Sequence, residues 1–136
     1  FAKHGLSFYE GVTLASIVTK EVSNPIDQKK VAGVFYNRLQ QGMDLQSDTT
    51  FLYAYDQGLC GTDDTSCDSN YNTYRDSGLP PGPISNPSES ALKAVADPIA
   101  SGNLYFFADT NGVCHYETTL SAQQADIAQY GLSGSN

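Results

Sequence analysis

Residues 11–21 read GVTLASIVTKE, and the reading of this stretch decides the fold. Leu14, Ile17 and Val18 recur at helical spacing and line one helix face, and Glu21, seven residues after Leu14, falls on the same stripe. A core-facing stripe that ends in an acid needs a reason. An unpaired buried carboxylate is costly unless its pKa rises, and a carboxyl group still protonated near neutral pH can act as a general acid. Glu21 is therefore the first candidate for chemistry. The alternative is a helix-end carboxylate that leans into solvent beside Lys20.

Outward from this stripe, Ser7 and Glu10 have the spacing of a capping box, which starts the helix and lets it run to about Val22. Ser23, Asn24 and Pro25 break it. A second helix is expected from about Asp27 to Gln41, with Val31, Val34, Phe35 and Leu39 inward and Gly42 as its stop. The segment LQSDTTFLYAYDQG (45–58) predicts a short helix opened by Ser47 or Asp48, followed by a loop to about Asn70. Residues 70–87, NYNTYRDSGLPPGPISNP, are dense in Asn, Gly, Pro and Tyr and predict an ordered loop able to present side chains rigidly. Pro87 reads as the first residue of a third helix ending at Asp97-Pro98. Two short strands, Asn103 to Ala108 and Val113 to Glu117, are joined by the turn signal DTNG (109–112), and a last helix runs from about Ser121 to Tyr130. The fold class is α+β: a helix-rich single domain with a small β-hairpin and a Pro/Gly-rich ordered loop.

Composition narrows the function. Seven basic against fifteen acidic residues give a net charge of -8, which argues against nucleic-acid binding or adhesion to anionic lipid and favours a neutral or weakly charged substrate such as a polysaccharide. No apolar run is long enough for a membrane span, and the start at Phe1, without Met, reads as a fragment, so that any anchor or targeting segment would lie upstream. Cys60 and Cys67 bracket the polar loop GTDDTS, either as a disulfide clip of an oxidising compartment or as free thiols. With Cys114 they make a poor metal set, and neither a metal nor an organic cofactor is implied.

Five ordered motifs then carry a resemblance: KVAGVFYNRL (30–39), GMDLQSD (42–48), YNTY (71–74), GLPPGPISNP (78–87) and LYFFAD (104–109). With the opening GLSFYEGVTLASIVTKE (5–21), they stand in the order and near the spacing of the endolytic murein transglycosylases, the MltG or YceG-like family. The resemblance runs from about Leu6 to Tyr130. It implies a bacterial, membrane-anchored, extracytoplasmic lyase acting on peptidoglycan glycan strands, with residues 1–136 as its catalytic domain and cell-wall synthesis proteins as further partners. Such an enzyme cleaves the MurNAc-β-1,4-GlcNAc bond inside strands and leaves 1,6-anhydro-MurNAc ends. The family's ASIVEKE is ASIVTKE here, so Thr19 replaces the first family glutamate, and were that residue the catalytic one, this chain would be inactive. Other lytic transglycosylases resemble this pattern with a helix-borne Glu followed closely by a small hydroxyl residue, here Ser23, and that resemblance implies Glu21 as the catalytic acid.

The same motifs place Gln46, Ser47 and Asp48 as candidate sugar contacts, although Ser47 or Asp48 could equally serve as a plain helix cap. Tyr71, Asn72 and Tyr74 offer aromatic faces and an amide to a sugar, and Asn37 is a candidate that would cap or bridge the helix pair. Arg38 lies on the inner stripe of its helix. A direct pair with Glu21 would depress the acid's pKa, so its expected partner is Asp48. His115, in a strand, reads as structural. The leading expectation is thus a lytic transglycosylase with Glu21 as single general acid and base. Two others stand beside it: a non-catalytic peptidoglycan-binding or scaffold module, and a hydrolase that would need Asp48 as a second carboxylate.

Overall fold

The computed structural model describes residues 1–132. Its described part has five α-helices, a short 3-10 helix at Ala2–His4 and one two-stranded sheet, the α+β architecture read from the sequence. Helix α1 (Phe8–Glu21) starts at the expected capping box: Ser7 Oγ accepts from Glu10 N at 3.1 Å, and Glu10 Oε1 accepts from Ser7 N at 2.9 Å. Helix α2 spans Pro25–Gln40. Ser23 and Asn24 separate the two helices as expected, and Pro25 is already the first residue of α2, two residues before the expected start, because Asn24 caps it by accepting from Ile26 N and Asp27 N, and an N1 proline has no N–H to lose. The elbow between the helices is fastened by Gln28 Nε2 donating to Val22 O at 3.0 Å.

Helices α3 (Asp48–Asp56) and α4 (Glu89–Ala96) follow. Pro87 lies ahead of α4 and not in it, since Ser88 takes the capping role by accepting from Ala91 N. α4 packs on both α1 and α2, and the core sits where the three meet: Leu14, Ala15, Ile17, Val18, Val31, Ala32, Phe35, Ala91, Ala94 and Val95 are all essentially inaccessible. Small residues keep the helices close. Gly33 carries this furthest, because a Cβ there would stand 2.3 Å from Ile99 O where the chain leaving α4 crosses α2.

The Pro/Gly-rich loop is bolted to α1 by hydroxyls. Ser16 Oγ accepts from Ile84 N at 3.0 Å, Ser85 Oγ donates to Ser16 O at 3.0 Å, and Thr19 Oγ1 accepts from Ser88 N at 3.1 Å. Thr19 therefore tethers the start of α4. Strands β1 (Tyr105–Ala108) and β2 (Cys114–Glu117) pair antiparallel with Tyr105 opposite Glu117 and Ala108 opposite Cys114, and α5 (Leu120–Tyr130) packs on them. Asp109 closes the expected turn by accepting from Asn111 N and Val113 N. No helix of the described residues is long and apolar enough to cross a membrane. Cys60 and Cys67 form a disulfide, which resolves the sequence alternatives for this pair, and Cys114 is free.

Candidate active site

Glu21 ends α1 at the point where the apolar stripe meets the start of α3. Its neighbours Ile17 and Val18 are wholly buried, while Glu21 keeps part of its surface open. Its partners are hydroxyls. Ser47 Oγ donates to Glu21 Oε2, Thr49 hydrogen-bonds the same carboxyl group, and Ser47 Oγ and Thr49 Oγ1 are 2.6 Å apart. Burial pushes the Glu21 pKa up to about 7, with the negative charge of Asp48 adding to the rise and the two hydroxyls opposing it. Among the described residues, no cation lies within salt-bridge distance of Glu21.

Ser47 occupies the cap position of α3 but makes no side-chain cap bond, because its hydroxyl is committed to Glu21. What fixes Ser47 is a buried hydroxyl lattice. Ser47 N donates to Thr73 Oγ1 at 2.9 Å, Thr50 Oγ1 donates to Ser47 O at 2.7 Å, and the Thr50 and Thr73 hydroxyls are 2.9 Å apart. Ser47, Thr50 and Thr73 are each at most 1% exposed, so the position of the Glu21 partner is set by packing as well as by bonding. Thr49, Thr50 and Thr73 were not singled out from the sequence. Their signal was the run of hydroxyls in QSDTT beside the motif acid, with a further one inside YNTY.

Asp48 is not the partner of Arg38. Its Oδ1 accepts from Tyr74 OH at 2.6 Å, which leaves it beside Glu21 as a source of negative charge and helps raise the Tyr74 phenol, itself raised chiefly by burial. Arg38 finds backbone instead: Nε donates to Leu104 O and Nη1 to Asp44 O, both at 2.6 Å, with the guanidinium 4.9 Å from the Tyr105 ring centre. As expected, Arg38 stays off Glu21.

The remaining sugar candidates divide. Asn72 is fully buried; Nδ2 donates to Thr65 O and Cys67 O, and Oδ1 accepts from Tyr74 N, so it braces the disulfide loop and has no surface for a ligand. Asn37 neither caps α2 nor bridges the helix pair: its amide donates to Ser101 O and Asn103 O, both at 2.8 Å, and ties α2 to the segment before β1. Tyr71 stays half-buried with its ring 5.1 Å from that of Tyr53. Gln46 is exposed and holds a left-handed backbone at φ 54°, uncommon for a residue with a Cβ. A cleft of about 380 Å³ lined by Lys20, Thr49, Leu52, Tyr53, Asp56, Gln57 and Ile84 adjoins Glu21 through Thr49.

His115 is structural in position, stacked between Phe107 and Tyr130 with Nε2 2.7 Å from Asp109 Oδ2. No group of three or more potential metal ligands occurs among the described residues.

Comparison with known proteins supplies relatives with this whole architecture. The YceG-like family model matches residues 1–129. The chain is 40% identical over 135 residues to the endolytic murein transglycosylase of Streptococcus pneumoniae serotype 2 strain D39, covering 92% of this chain and 24% of that protein. It is 41% identical over 132 residues to the endolytic murein transglycosylase of Bacillus subtilis strain 168, covering 94% of this chain and 36% of the relative. The chain thus spans only about a quarter to a third of these relatives' length. The crystal structure of a yceG-like protein from Listeria monocytogenes superposes with a TM-score of 0.82 at 42% identity, over 91% of this chain and 41% of that one. Sequence and fold agree across nearly the full length, and the chain belongs to the YceG-like family.

Proposed function

We propose that this domain is the catalytic part of a peptidoglycan lytic transglycosylase, cutting the MurNAc-β-1,4-GlcNAc bond within glycan strands and leaving 1,6-anhydro-MurNAc ends. The observation that carries this reading is the Glu21 carboxyl group, held by hydroxyls, with no cation of the described residues within salt-bridge distance, and pushed up to about 7. Near neutral pH such a group exists in both protonation states, which one residue serving as acid and then as base requires.

In the first step Glu21 gives its proton to the glycosidic oxygen as the C–O bond breaks and positive charge develops at the anomeric carbon. The carboxylate that remains then takes the proton of the C6 hydroxyl, whose oxygen closes the anhydro ring on that carbon. Atoms balance without water. Ser47 and Thr49 donate to the carboxylate and stabilise it between the two steps, while the cleft beside Thr49 offers the Tyr53 ring to a neighbouring sugar. The domain then works on the extracytoplasmic side of a bacterial cell, with the membrane anchor in another segment of the full-length protein.

One observation favours a second reading. The charge of Asp48 reaches Glu21, as two carboxylates of a hydrolase would, although the Tyr74 hydroxyl already occupies Asp48. Mass analysis of products from purified glycan strands separates the readings. Anhydro ends formed by the protein and lost in Glu21→Gln support the transglycosylase, and reducing ends support the hydrolase. Strands bound but uncut by the full-length protein would leave a non-catalytic binding module.

A further inference from the structure

Arg38 is a buried charge with no carboxylate in direct contact among the described residues, although the charge of Asp44 reaches it. Arg38 is 6% exposed, no carboxylate of the described residues lies within 4 Å of it, and burial is the first cause lowering its pKa. Two carbonyls accept from Nε and Nη1 and the charge of Asp44 reaches the guanidinium, which offsets part of the desolvation cost without pairing the charge directly. The side chain lines a cleft of about 120 Å³ shared with Leu45, Gln46, Tyr74, Tyr105 and Gln123.

A second polar group in this cleft is incomplete. Gln123 Oε1, from α5, is buried and accepts no hydrogen bond from the described residues. Buried acceptors left unmatched cost about 1–3 kcal/mol, so each asks for an explanation; of the four such side-chain atoms among the described residues, Gln123 Oε1 belongs to a residue that lines this cleft. The rim holds Gln46 in its left-handed conformation, a strained backbone of the kind that collects at binding sites. Tyr74 forms a wall of the cleft, and its phenol feels both Glu21 and Arg38, so the cleft lies within electrostatic reach of the catalytic acid.

We propose that this cleft is a substrate subsite for a carboxylate that has an amide N–H beside it. The carboxylate takes the remaining guanidinium N–H groups of Arg38, and the amide N–H donates to Gln123 Oε1. Resting on the proposed function, this assigns the site a charged group of the glycan strand. Two parts of a strand carry that chemistry: the lactyl carboxylate of a peptide-free MurNAc, next to its own N-acetyl group, and the carboxyl-terminal residue of a peptide substituent.

Binding tests it without turnover. The Glu21→Gln protein is titrated with peptide-free strands, with peptide-bearing strands, and with peptide-bearing strands whose carboxyl groups have been converted to methylamides. The subsite predicts about tenfold tighter binding of a carboxylate-bearing strand than of the neutralised one, the scale of one charge-assisted hydrogen bond, together with movement of the Arg38 Nε–H resonance. Preference for the peptide-free strand identifies the lactyl source, and preference for the peptide-bearing strand the peptide source. Gln123→Glu, which sets a competing carboxylate in the cleft, should erase the preference, whereas Gln123→Met should keep most of it. Equal affinity for native and neutralised strands, or an unmoved Arg38 resonance at saturation, overturns the subsite. If the preference appears while the unsubstituted protein cuts no strand, the proposed function fails and the subsite stands.

Discussion

Glu21 and Asp109 are two enclosed acids that the fold treats in opposite ways. Asp109 is 4% exposed, meets the His115 ring and accepts two backbone N–H groups, and its carboxyl is held below the usual carboxylate range chiefly by the His115 hydrogen bond. Glu21 meets two hydroxyls and the repulsion of Asp48, and burial drives it up to about 7. Enclosure alone therefore does not decide what a buried acid does. Hydrogen bonds from His115 and two backbone N–H groups make Asp109 a fastening of the hairpin, whereas burial beside Asp48 lets Glu21 hold a proton near neutral pH, as the proposed role requires.

Removing the acid gives the largest effect. Glu21→Gln should lower strand cleavage by at least about 10²-fold, within the usual contribution of a general acid or base. It should also change stability in a direction fixed by the shift. The folded-state pKa, about 7, lies above the ordinary 4.5, so the folded protein holds the extra proton between these values and loses stability as pH rises through them. Below about pH 4.5 this cost is absent, and above about pH 7 it is complete, up to about 3 kcal/mol. Urea melts at pH 5 and pH 8 should show the unsubstituted protein weakening relative to Glu21→Gln at the higher pH. Parallel curves would mean that Glu21 titrates as an ordinary surface acid.

Next comes a substitution that makes the Glu21 site resemble that of Asp109. Thr49→Lys brings a cation against the carboxyl group and should lower its pKa by about 1–3 units. Activity at pH 7 should then fall about 10–100-fold, and the alkaline limb of the kcat/KM profile should move toward acid. A loss of rate with the limb still near pH 7 would show that the lysine blocks the cleft without touching the proton.

Ser47→Ala is expected to act the other way and more weakly. The Ser47 hydrogen bond favours the ionised form, so its loss should carry the alkaline limb above pH 7 and lower the maximal rate about fivefold, the worth of one hydrogen bond near 1 kcal/mol. Rescue of both by Ser47→Thr would confirm that the hydroxyl is what matters.

Much of this contrast was legible in the chain, and its decisive part was not. The stripe of Leu14, Ile17 and Val18, the Ser7–Glu10 capping box and the DTNG turn are local patterns, and the helix, its start and the hairpin follow from them. The acid on the stripe was visible for the same reason. That Ser47 would give up its cap to hold Glu21 depends on a contact 26 residues apart, which no local spacing encodes. Asn72 misled because an amide in an aromatic loop suits a sugar and a loop brace equally well, and only its burial separates the two. Arg38 misled because backbone carbonyls, which carry no mark in the sequence, took the place of Asp48.

The smallest kinetic effect belongs to the other acid. His115→Phe keeps an aromatic surface between Phe107 and Tyr130 but removes the Asp109 partner, so the melting temperature should fall by about 3–6 °C while the kcat/KM profile against pH keeps its shape. The pH sign differs from that of Glu21. Because the Asp109 pKa is depressed in the fold, the stability it adds is present above the ordinary carboxylate range and is lost as pH falls through its folded value. His115→Phe should therefore cost most near neutrality and least in acid, whereas Glu21→Gln should gain most at alkaline pH and least in acid. If His115→Phe instead moved the alkaline limb of activity, the hairpin and Glu21 would be coupled, and the proposed separation between a structural and a chemical carboxylate would not hold.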